Sequence, residues 1–376
     1  MPYGVLIATG AMSHQENYAL GFQQDKRSNV VAVSDEKDVD ERRARLNQKL
    51  ADQLRVPYIR DLDEALARRG VDVVSVCTEH HRQGRVAIRC AEAGKHIYID
   101  KPVAGSLAEA RQLEALVRKK NLRSQMFTQV LFPPAQRARR LIASGSLGEL
   151  RAIHHDLHFA KGYTKELPLK PRTETSEPKT FLVPDAKREM FNIAVYSLAM
   201  FRWLTRRDFR TVSAITANYF FENNARRDYE DFGVLSLTLD GGIVATISSG
   251  RTGWKSHPGG GTNRTKLIGT RGSAFIDGFA TRAEITGGRQ AFWRTPPENP
   301  DDPAAFWSSS DQRKSGAVEW AIPGVTVSDQ TAFLDALDKG RDGEVSIADG
   351  VHVLEALFGA YRAAASRDVV SLPRHA

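Results

Sequence analysis

A lysine at the end of a predicted buried strand is the first residue of this chain whose position suggests chemistry. Residues 71–77 form a short valine-rich run, which is typical of a buried parallel strand. His96–Ile99 forms a second short strand, and Asp100, Lys101 and Pro102 follow it directly. Open parallel sheets bind their ligands at the carboxyl ends of the strands. Lys101 is therefore predicted to contact a ligand.

An amide and a phenol form the second candidate group. Residues 190–204 carry apolar side chains at helical spacing, which predicts a helix. Asn192 and Tyr196 lie four positions apart in this segment, so they share one face of the helix. An asparagine side chain cannot ionise, and a free tyrosine titrates near about 10. Of the two, only Tyr196 can therefore exchange a proton.

A turn with a single glycine follows the first predicted strand. A Rossmann fingerprint has glycine at three spaced positions, where this chain has Ala8, Gly10 and Ser13. In one interpretation, Gly10 is needed so that the backbone approaches a pyrophosphate, which would bind at the N-terminus of the next helix. Alternatively, Gly10 only makes a tight turn between the strand and the helix. The pattern leaves both interpretations open. The first of them assigns cofactor binding to Thr9, Gly10, Ala11 and Met12.

An acidic residue follows the second predicted strand, residues 30–34. Asp35 lies about 20 residues beyond the glycine turn, where a carboxylate accepts the two ribose hydroxyls of NAD. Its negative charge would repel the 2′-phosphate of NADP, so the spacing predicts NAD. The alternative is an ordinary solvated aspartate in a loop.

Hydroxyl and imidazole groups occupy further predicted strand ends. Thr78, His80 and His81 follow residues 71–77 and are expected beside the nicotinamide half of the cofactor. His158 shares one face of a predicted strand, residues 150–159, with two other polar residues and is expected to hydrogen-bond a polyhydroxylated substrate. A structural role for each histidine stays open. No carboxylate completes a ligand set with His80 and His81, and a zinc site is conceivable on the strand of His158, where hydrogen bonding is preferred; no metal is expected.

Composition excludes several classes of protein. The net charge is +8, but the arginines are spread along the chain and no zinc-finger, basic-zipper or RRM signature occurs, so no nucleic acid is expected. No apolar run is long enough to span a bilayer and no signal peptide precedes the first strand, which predicts a cytoplasmic protein without a membrane partner. Cys77 and Cys90 lie in predicted buried elements, so a disulfide is not expected.

The order of the elements predicts an α/β chain with two domains. Strands and helices alternate through residues 1–125, as in a doubly wound parallel sheet. Residues 126–376 contain a run of antiparallel strands and closing helices, which predicts an α+β domain. Residues 162–185 show little periodicity and are predicted to form a long functional loop.

At this point the chain resembles the Gfo/Idh/MocA oxidoreductase family over nearly its full length. The specific match is Ala-Glu-Ala-Gly-Lys-His at residues 91–96, followed by Asp-Lys-Pro at residues 100–102. Members of the family have Glu-Lys-Pro at the position of that triplet. Weaker matches support it, namely Asp35, Thr78, residues 145–148, residues 266–272, and Asp349 with Gly350. Most members carry aspartate and histidine at the positions of Asn192 and Tyr196. A branch similar to glucose–fructose oxidoreductase and dimeric dihydrodiol dehydrogenase has tyrosine at the second position.

The resemblance implies a Rossmann domain followed by an α+β domain with a large, open, mostly antiparallel sheet. The open face of that sheet often forms oligomer contacts, which implies a homodimer or homotetramer. The resemblance also implies NAD and redox chemistry at a hydroxyl-bearing carbon of a sugar, polyol or sugar derivative. In full, the residues expected to bind the cofactor are Thr9, Gly10, Ala11, Met12, Asp35, Thr78, His80, His81, Asp100, Lys101 and Gln129.

The same resemblance suggests roles for the candidate catalytic groups. Tyr196 is expected to act as the general acid/base, with Lys101 lowering its pKa and hydrogen-bonding the developing alkoxide. Asn192 is expected to orient substrate hydroxyls. Lys187 and Arg188 precede the helix and are expected to bind an acidic group on the substrate, such as that of a uronate, phosphate or sulfonate sugar.

Two other functions remain open at the level of sequence. Some relatives of the family use bound NAD transiently to oxidise a sugar, eliminate the glycosidic substituent and reduce the sugar again. The asparagine at position 192 in place of the usual aspartate, together with the long loop at residues 162–185, is compatible with such a glycosidase. The degenerate glycine turn is also compatible with a non-catalytic NAD-binding regulator, although the retention of Lys101 and Tyr196 argues against it.

Overall fold

The structure is a computed structural model. It describes residues 2–10, 14–160, 167–170, 172–183, 185–252, 261–278, 282–287, 316–321 and 328–374. Ala11 and Met12, two of the residues predicted to bind the cofactor, lie outside this part of the chain. Residues 161–166, which include the start of the predicted loop, lie outside it as well. No helix in the described ranges is long and apolar enough to cross a membrane.

Strands and helices alternate in the first part of the chain. They are β1 (Tyr3–Ala8), α1 (His14–Gln24), β2 (Ser28–Ser34), α2 (Glu41–Leu54), β3 (Tyr58–Ile59), α3 (Leu62–Ala67), β4 (Val73–Val76), α4 (His80–Glu92), β5 (His96–Ile99), α5 (Leu107–Lys119), β6 (Ser124–Met126) and α6 (Pro133–Ala143). The six strands are parallel in the order β3-β2-β1-β4-β5-β6. Strand order reverses between β1 and β4, the switch point at which doubly wound sheets bind dinucleotides.

Helix α4 begins at His80, six residues before Val86, where the apolar residues at helical spacing begin. Its first turn contains His80, Arg82 and Gln83, which are polar but buried. Apolar periodicity cannot detect a turn whose buried side chains are polar. The extra turn brings these polar groups to the end of β4, beside the switch point of the sheet.

The rest of the chain forms one large sheet with helices on one face. Its elements are β7 (Leu150–Phe159), β8 (Leu182–Val183), β9 (Ala186–Lys187), a π-helical turn (Met190–Ala194), α7 (Val195–Thr205), β10 (Phe209–Ala217), α8 (Glu222–Arg226), β11 (Phe232–Leu239), a 3₁₀ turn (Asp240–Gly242), β12 (Val244–Arg251), β13 (Thr262–Gly269), β14 (Gly272–Asp277), β15 (Arg282–Gly287), β16 (Gly316–Ala321), α9 (Asp329–Asp338), α10 (Ile347–Ser366) and β17 (Val370–Ser371). Nine strands pair in the order β16-β15-β14-β13-β7-β12-β11-β10-β17. Among the described strands of this sheet all pairs are antiparallel except β7 with β12. The predicted fold class, a Rossmann domain followed by an α+β domain, is confirmed.

The C-terminal helices connect the two domains. Helix α10 packs on α5, α7 and β10. Helix α9 packs instead on α1 of the Rossmann domain, where Phe333 is fully buried against Tyr98 with ring centroids 6.0 Å apart. Arg27 adds ion pairs to Asp335 and Asp338 of α9. Residues 329–366 therefore help to hold the strand ends of the first domain against the second.

Candidate active site

Lys101 lies at the contact between the two domains and is 2% exposed. Its Nζ donates hydrogen bonds to the main-chain oxygen of Asn192 at 2.7 Å and to Asn192 Oδ1 at 2.8 Å. The same nitrogen lies 4.7 Å from the ring centroid of Tyr196. Burial is the main cause that lowers the pKa of Lys101, to about 8. The structure thus brings together the strand-end lysine and the two helix residues that the sequence selects.

Asp100 fixes the strand end that carries Lys101. Its carboxylate accepts hydrogen bonds from the Tyr18 hydroxyl at 2.7 Å and lies 3.2 Å from His14 Nδ1. Burial alone would raise the pKa of Asp100, but His14, Lys101 and Tyr18 outweigh burial and lower it to about 2. Asp100 is therefore a charged anchor, and its partners on α1 could not be predicted from local spacing.

Gln83 supports the same segment from the first turn of α4. Its Nε2 donates to the carbonyl oxygens of Asp100 and Pro102, both at 2.6 Å, and its Oε1 accepts from the Thr78 N–H at 3.2 Å. The side chain is fully buried. Gln83 thus ties the ends of β4 and β5 together, a role that sequence analysis missed.

Asn192 is held from behind by a buried carboxylate. The Asn192 Nδ2 group donates to Glu189 Oε2 at 3.3 Å, and Glu189 Oε1 forms an ion pair with Arg251 Nε at 2.8 Å. These contacts fix the amide so that its oxygen faces Lys101. Glu189 also favours the charged form of Lys101, while Lys187 opposes it. Sequence analysis missed Glu189 and Arg251, because nothing in their local spacing marks them.

The predicted electrostatic effect on Tyr196 is wrong. Burial and the charge of Asp100 raise the pKa of Tyr196 well above its usual value, and Lys101 does not reverse this. The lysine nitrogen lies over the face of the ring, a cation–π contact that stabilises the ammonium. The raised pKa keeps the Tyr196 hydroxyl protonated at neutral pH, whereas the pKa of Lys101 is lowered to about 8.

Gly10 lies where β1 and β4 approach each other most closely. A Cβ atom at this position would lie 2.4 Å from the Thr78 Cα and 2.9 Å from the Cys77 oxygen. Thr9 is buried and donates from Oγ1 to Asn47 Oδ1 at 2.7 Å. Gly10 is thus required by backbone packing at the switch point, whichever ligand lies there.

Several buried polar atoms at the strand ends lack a partner among the described residues. They are Gln15 Oε1, Thr78 Oγ1 and both ring nitrogens of His80. Burial lowers the pKa of His80 to about 3, so its neutral ring offers one donor and one acceptor. Buried polar groups are normally hydrogen-bonded. These unpaired atoms at the switch point fit the carboxamide and hydroxyl groups of a nicotinamide dinucleotide.

Asp35 is not free to accept ribose hydroxyls as predicted. It lies at the end of β2, but its side chain is 0% exposed. Arg82 Nη1 donates to Oδ1 at 2.8 Å, and Asn47 Nδ2 donates to Oδ2 at 3.2 Å. The aspartate is at the expected place, whereas its solvent-facing side is covered by a guanidinium.

Two predicted substrate-binding residues lie elsewhere. Arg188 is buried, and its Nη1 lies 3.0 Å from Glu230 and 3.5 Å from Glu174, so its charge is already paired within the protein. His158 Nε2 contacts Ser248 Oγ at 3.0 Å on the open face of the large sheet. The α7 helix, which holds Tyr196, covers the opposite face, so the structure does not bring His158 to Lys101.

The remaining predicted site residues are Lys187, Gln129 and His81. Lys187 is half-buried and lowers the pKa of both Lys101 and His80, which places its charge near them. Gln129 is half-buried after β6. His81 is exposed and lines two cavities, one beside Arg82 and one beside Gly105 and Phe358. Among the described residues, no three His, Cys, Asp or Glu side chains are grouped to hold a metal ion.

Comparisons with known proteins agree with this architecture. The family profile described as "Oxidoreductase family, NAD-binding Rossmann fold" matches residues 4–128, and the GFO/IDH/MocA C-terminal domain profile matches residues 135–275. The scyllo-inositol 2-dehydrogenase (NAD(+)) of Bacillus subtilis (strain 168) is 26% identical over 217 residues, 57% of this chain and 57% of that protein. The trans-1,2-dihydrobenzene-1,2-diol dehydrogenase of Mus musculus is 24% identical over 156 residues, 41% of this chain and 45% of that protein.

The chain spans about half the length of these curated relatives. A solved structure of levoglucosan dehydrogenase in complex with NADH and levoglucosan has a TM-score of 0.75 at 18% identity and covers 100% of both chains. At this identity the likeness establishes the fold. Together with the two family profiles, it shows that this chain belongs to the Gfo/Idh/MocA family of NAD-binding oxidoreductases.

Proposed function

We propose that the protein oxidises a hydroxyl-bearing carbon of a sugar, polyol or sugar derivative, or catalyses the reverse reduction, with NAD as cofactor. The observation that carries this proposal is the position of Lys101, buried between Asn192 and Tyr196 with a pKa of about 8. A general base works best when its pKa lies near the operating pH. Lys101 meets that requirement, and Tyr196 does not.

The hydrogen bonds of Lys101 leave room for proton transfer. A neutral amine has two N–H groups and one lone pair. The two N–H groups are used by the Asn192 carbonyl oxygen and the Asn192 amide oxygen. The lone pair of Nζ is therefore available for the proton of a substrate hydroxyl.

The proposed reaction divides the work among four side chains. Bound NAD supplies the acceptor for the hydride that leaves the substrate carbon. Lys101 Nζ takes the hydroxyl proton, and the Tyr196 hydroxyl donates a hydrogen bond to the oxygen that becomes a carbonyl. Asn192 holds Lys101 in place, while the Glu189 carboxylate behind it holds the Asn192 amide. In the reverse reduction, the Lys101 ammonium returns the proton.

A panel of neutral and acidic sugars and polyols, each incubated with NAD, tests this proposal through the absorbance of NADH. We expect NADH to accumulate with at least one neutral or acidic polyol, and Lys101→Met to abolish accumulation while NADH still binds. Release of an aglycone without net NADH would instead favour the glycosidase cycle. Tight NAD binding without turnover of any polyol would favour the regulatory alternative.

We infer that the substrate carries an acidic group, and Lys187 supports this. Lys187 ends β9, shortly before the π-helical turn that carries Asn192, and its positive charge contributes to the lowered pKa of Lys101. An acidic sugar should therefore have a lower KM than its neutral counterpart, and Lys187→Met should remove the difference. Equal KM values for the two sugars in the unmodified protein would contradict the inference.

We also infer that a second copy of the chain covers the open face of the large sheet. Ile215 and Val234 form a cross-strand pair of β10 and β11 on this face and are 72% and 41% exposed. Contiguous exposed apolar side chains are typical of interaction surfaces. Light scattering should give a dimer or tetramer mass that Val234→Glu reduces, and a monomeric mass for the unmodified protein would refute the inference.

A further inference from the structure

The carboxylate expected to recognise the adenosine ribose is covered by an arginine. Asp35 Oδ1 lies 2.8 Å from Arg82 Nη1 and also accepts from the Glu36 N–H at 2.8 Å. The guanidinium side chain is 10% exposed, and the Asp35 side chain is 0% exposed. A group entering at the end of β2 therefore meets a guanidinium before it meets the carboxylate.

Arg82 is shared among three acidic residues. Its Nη1 is also 2.8 Å from Glu36 Oε2, and its Nη2 is 2.7 Å from Glu79 Oε2. Because Glu79 and Glu36 would retain the guanidinium if it left Asp35, a small rotation can expose Asp35 without leaving Arg82 unpaired. A second arrangement, with the Arg82 guanidinium on Glu79 and Glu36 alone, would therefore keep this side chain paired.

A cavity of about 320 Å³ adjoins this cluster and contains two more arginines. Arg43 pairs with Glu79 at 2.7 Å, and Arg85 pairs with Glu36 at 2.8 Å. The three arginines and their three carboxylate partners therefore balance in charge. The full lining is Glu36, Asp38, Val39, Asp40, Arg43, Glu79, His81, Arg82 and Arg85.

We propose that Arg82 sets the discrimination between NAD and NADP, and that the protein binds both dinucleotides. This inference rests on the proposed function, because it concerns the same cofactor. A free carboxylate at the end of β2 excludes NADP by repelling its 2′-phosphate. At Asp35 that charge is opposed by Arg82, and a guanidinium is well suited to bind phosphate oxygens in a bidentate manner.

The two arrangements of Arg82 correspond to the two cofactors. With Arg82 on Asp35, the 2′-phosphate of NADP faces a guanidinium. With Arg82 on Glu79 and Glu36 alone, Asp35 accepts the ribose hydroxyls of NAD. The carboxylates of Asp38 and Asp40 at the cavity wall disfavour an added phosphate, so NADP is expected to bind the more weakly of the two.

Binding of NADH and NADPH to the full chain without substrate tests the proposal, with titration calorimetry as the readout. In the unmodified protein, the two Kd values should differ by no more than about tenfold. Arg82→Met should raise the Kd of NADPH by about tenfold or more relative to that of NADH, because it removes the phosphate partner and exposes the charge of Asp35. Arg82→Lys, which retains the charge, should give an intermediate ratio.

Arg111→Met is the matched control. This arginine lies on α5 and pairs with Glu355, and it neither lines the cavity nor pairs with Asp35, Glu36 or Glu79. Its variant should keep the ratio of the unmodified protein. NADH binding without NADPH binding at about a hundredfold higher concentration would overturn the proposal, as would an unchanged ratio in folded Arg82→Lys and Arg82→Met. Failure of both nucleotides to bind would overturn the proposed function itself.

Discussion

Replacement of Glu189 by glutamine should shift the pH dependence of the reaction downwards. Glu189 carries a negative charge that favours the ammonium form of Lys101. The two hydrogen bonds through the Asn192 amide, of 2.8 Å and 3.3 Å, connect the lysine to that carboxylate. Glutamine keeps the size and the acceptor oxygen of the side chain but removes its charge. The amine form of Lys101 should therefore become easier to reach.

The size of the shift follows from this geometry. A carboxylate roughly 7 Å from an ammonium, at an effective dielectric constant of about 20, contributes about 2.4 kcal/mol, or somewhat under two pKa units. Arg251 forms an ion pair with Glu189 and offsets part of this effect. We therefore expect the pKa of Lys101 to fall from about 8 by about one unit.

The assay is the pH profile of kcat/KM for polyol oxidation, which reports the pKa of the base in the free enzyme. Oxidation needs the neutral amine, so kcat/KM of the unmodified protein should rise with pH and level off above about 8. In Glu189→Gln the same rise should occur about one unit lower. In Arg251→Gln it should move upwards, because the charge of Glu189 is then unopposed. Identical profiles for both variants would refute the electrostatic reasoning.

Three further outcomes follow from the site. In steady-state assays, Lys101→Met should lower kcat by about a hundredfold to ten-thousandfold, and Tyr196→Phe should lower it by about a hundredfold. His158 lies on the open sheet face, so His158→Ala should leave the steady-state rates unchanged. In the reductive direction, activity should fall as pH rises through about 8, because the Lys101 ammonium is then the proton donor, and a pH profile of NADH consumption checks this. Gly10→Ala should lower the free energy of unfolding by about 1–3 kcal/mol, measured by thermal melts, because the new Cβ would lie 2.4 Å from the Thr78 Cα.

Residues in regular local patterns could be predicted from the sequence. The Rossmann strands were identified from short apolar runs, and Lys101 was placed at a strand end by the residues that flank it. Asn192 and Tyr196 were assigned to one helix face by their spacing alone, and both contact Lys101. These features depend on neighbours a few positions away, which periodicity can detect.

Features that depend on distant charged partners could not be predicted. Arg188 binds Glu230, which is 42 positions away, and this contact turns an expected substrate ligand into a buried structural residue. Arg82 covers Asp35 from 47 positions away. Buried polar clusters have no apolar periodicity, so a sequence shows their charges without showing which charges neutralise each other.

This chain has asparagine at position 192, where most members of the family carry aspartate, and the same charge balance accounts for the difference. An aspartate at this position would place its carboxylate next to that of Glu189, where Asn192 Nδ2 now lies 3.3 Å from Glu189 Oε2. Two carboxylates this close cannot both ionise at neutral pH. The amide instead donates to Glu189 and accepts from Lys101, so it links the two charged groups. The negative charge that the family usually carries on the helix face is therefore retained three residues earlier, at Glu189. Lys101 keeps an anionic neighbour, but at a distance that leaves its pKa near neutral pH.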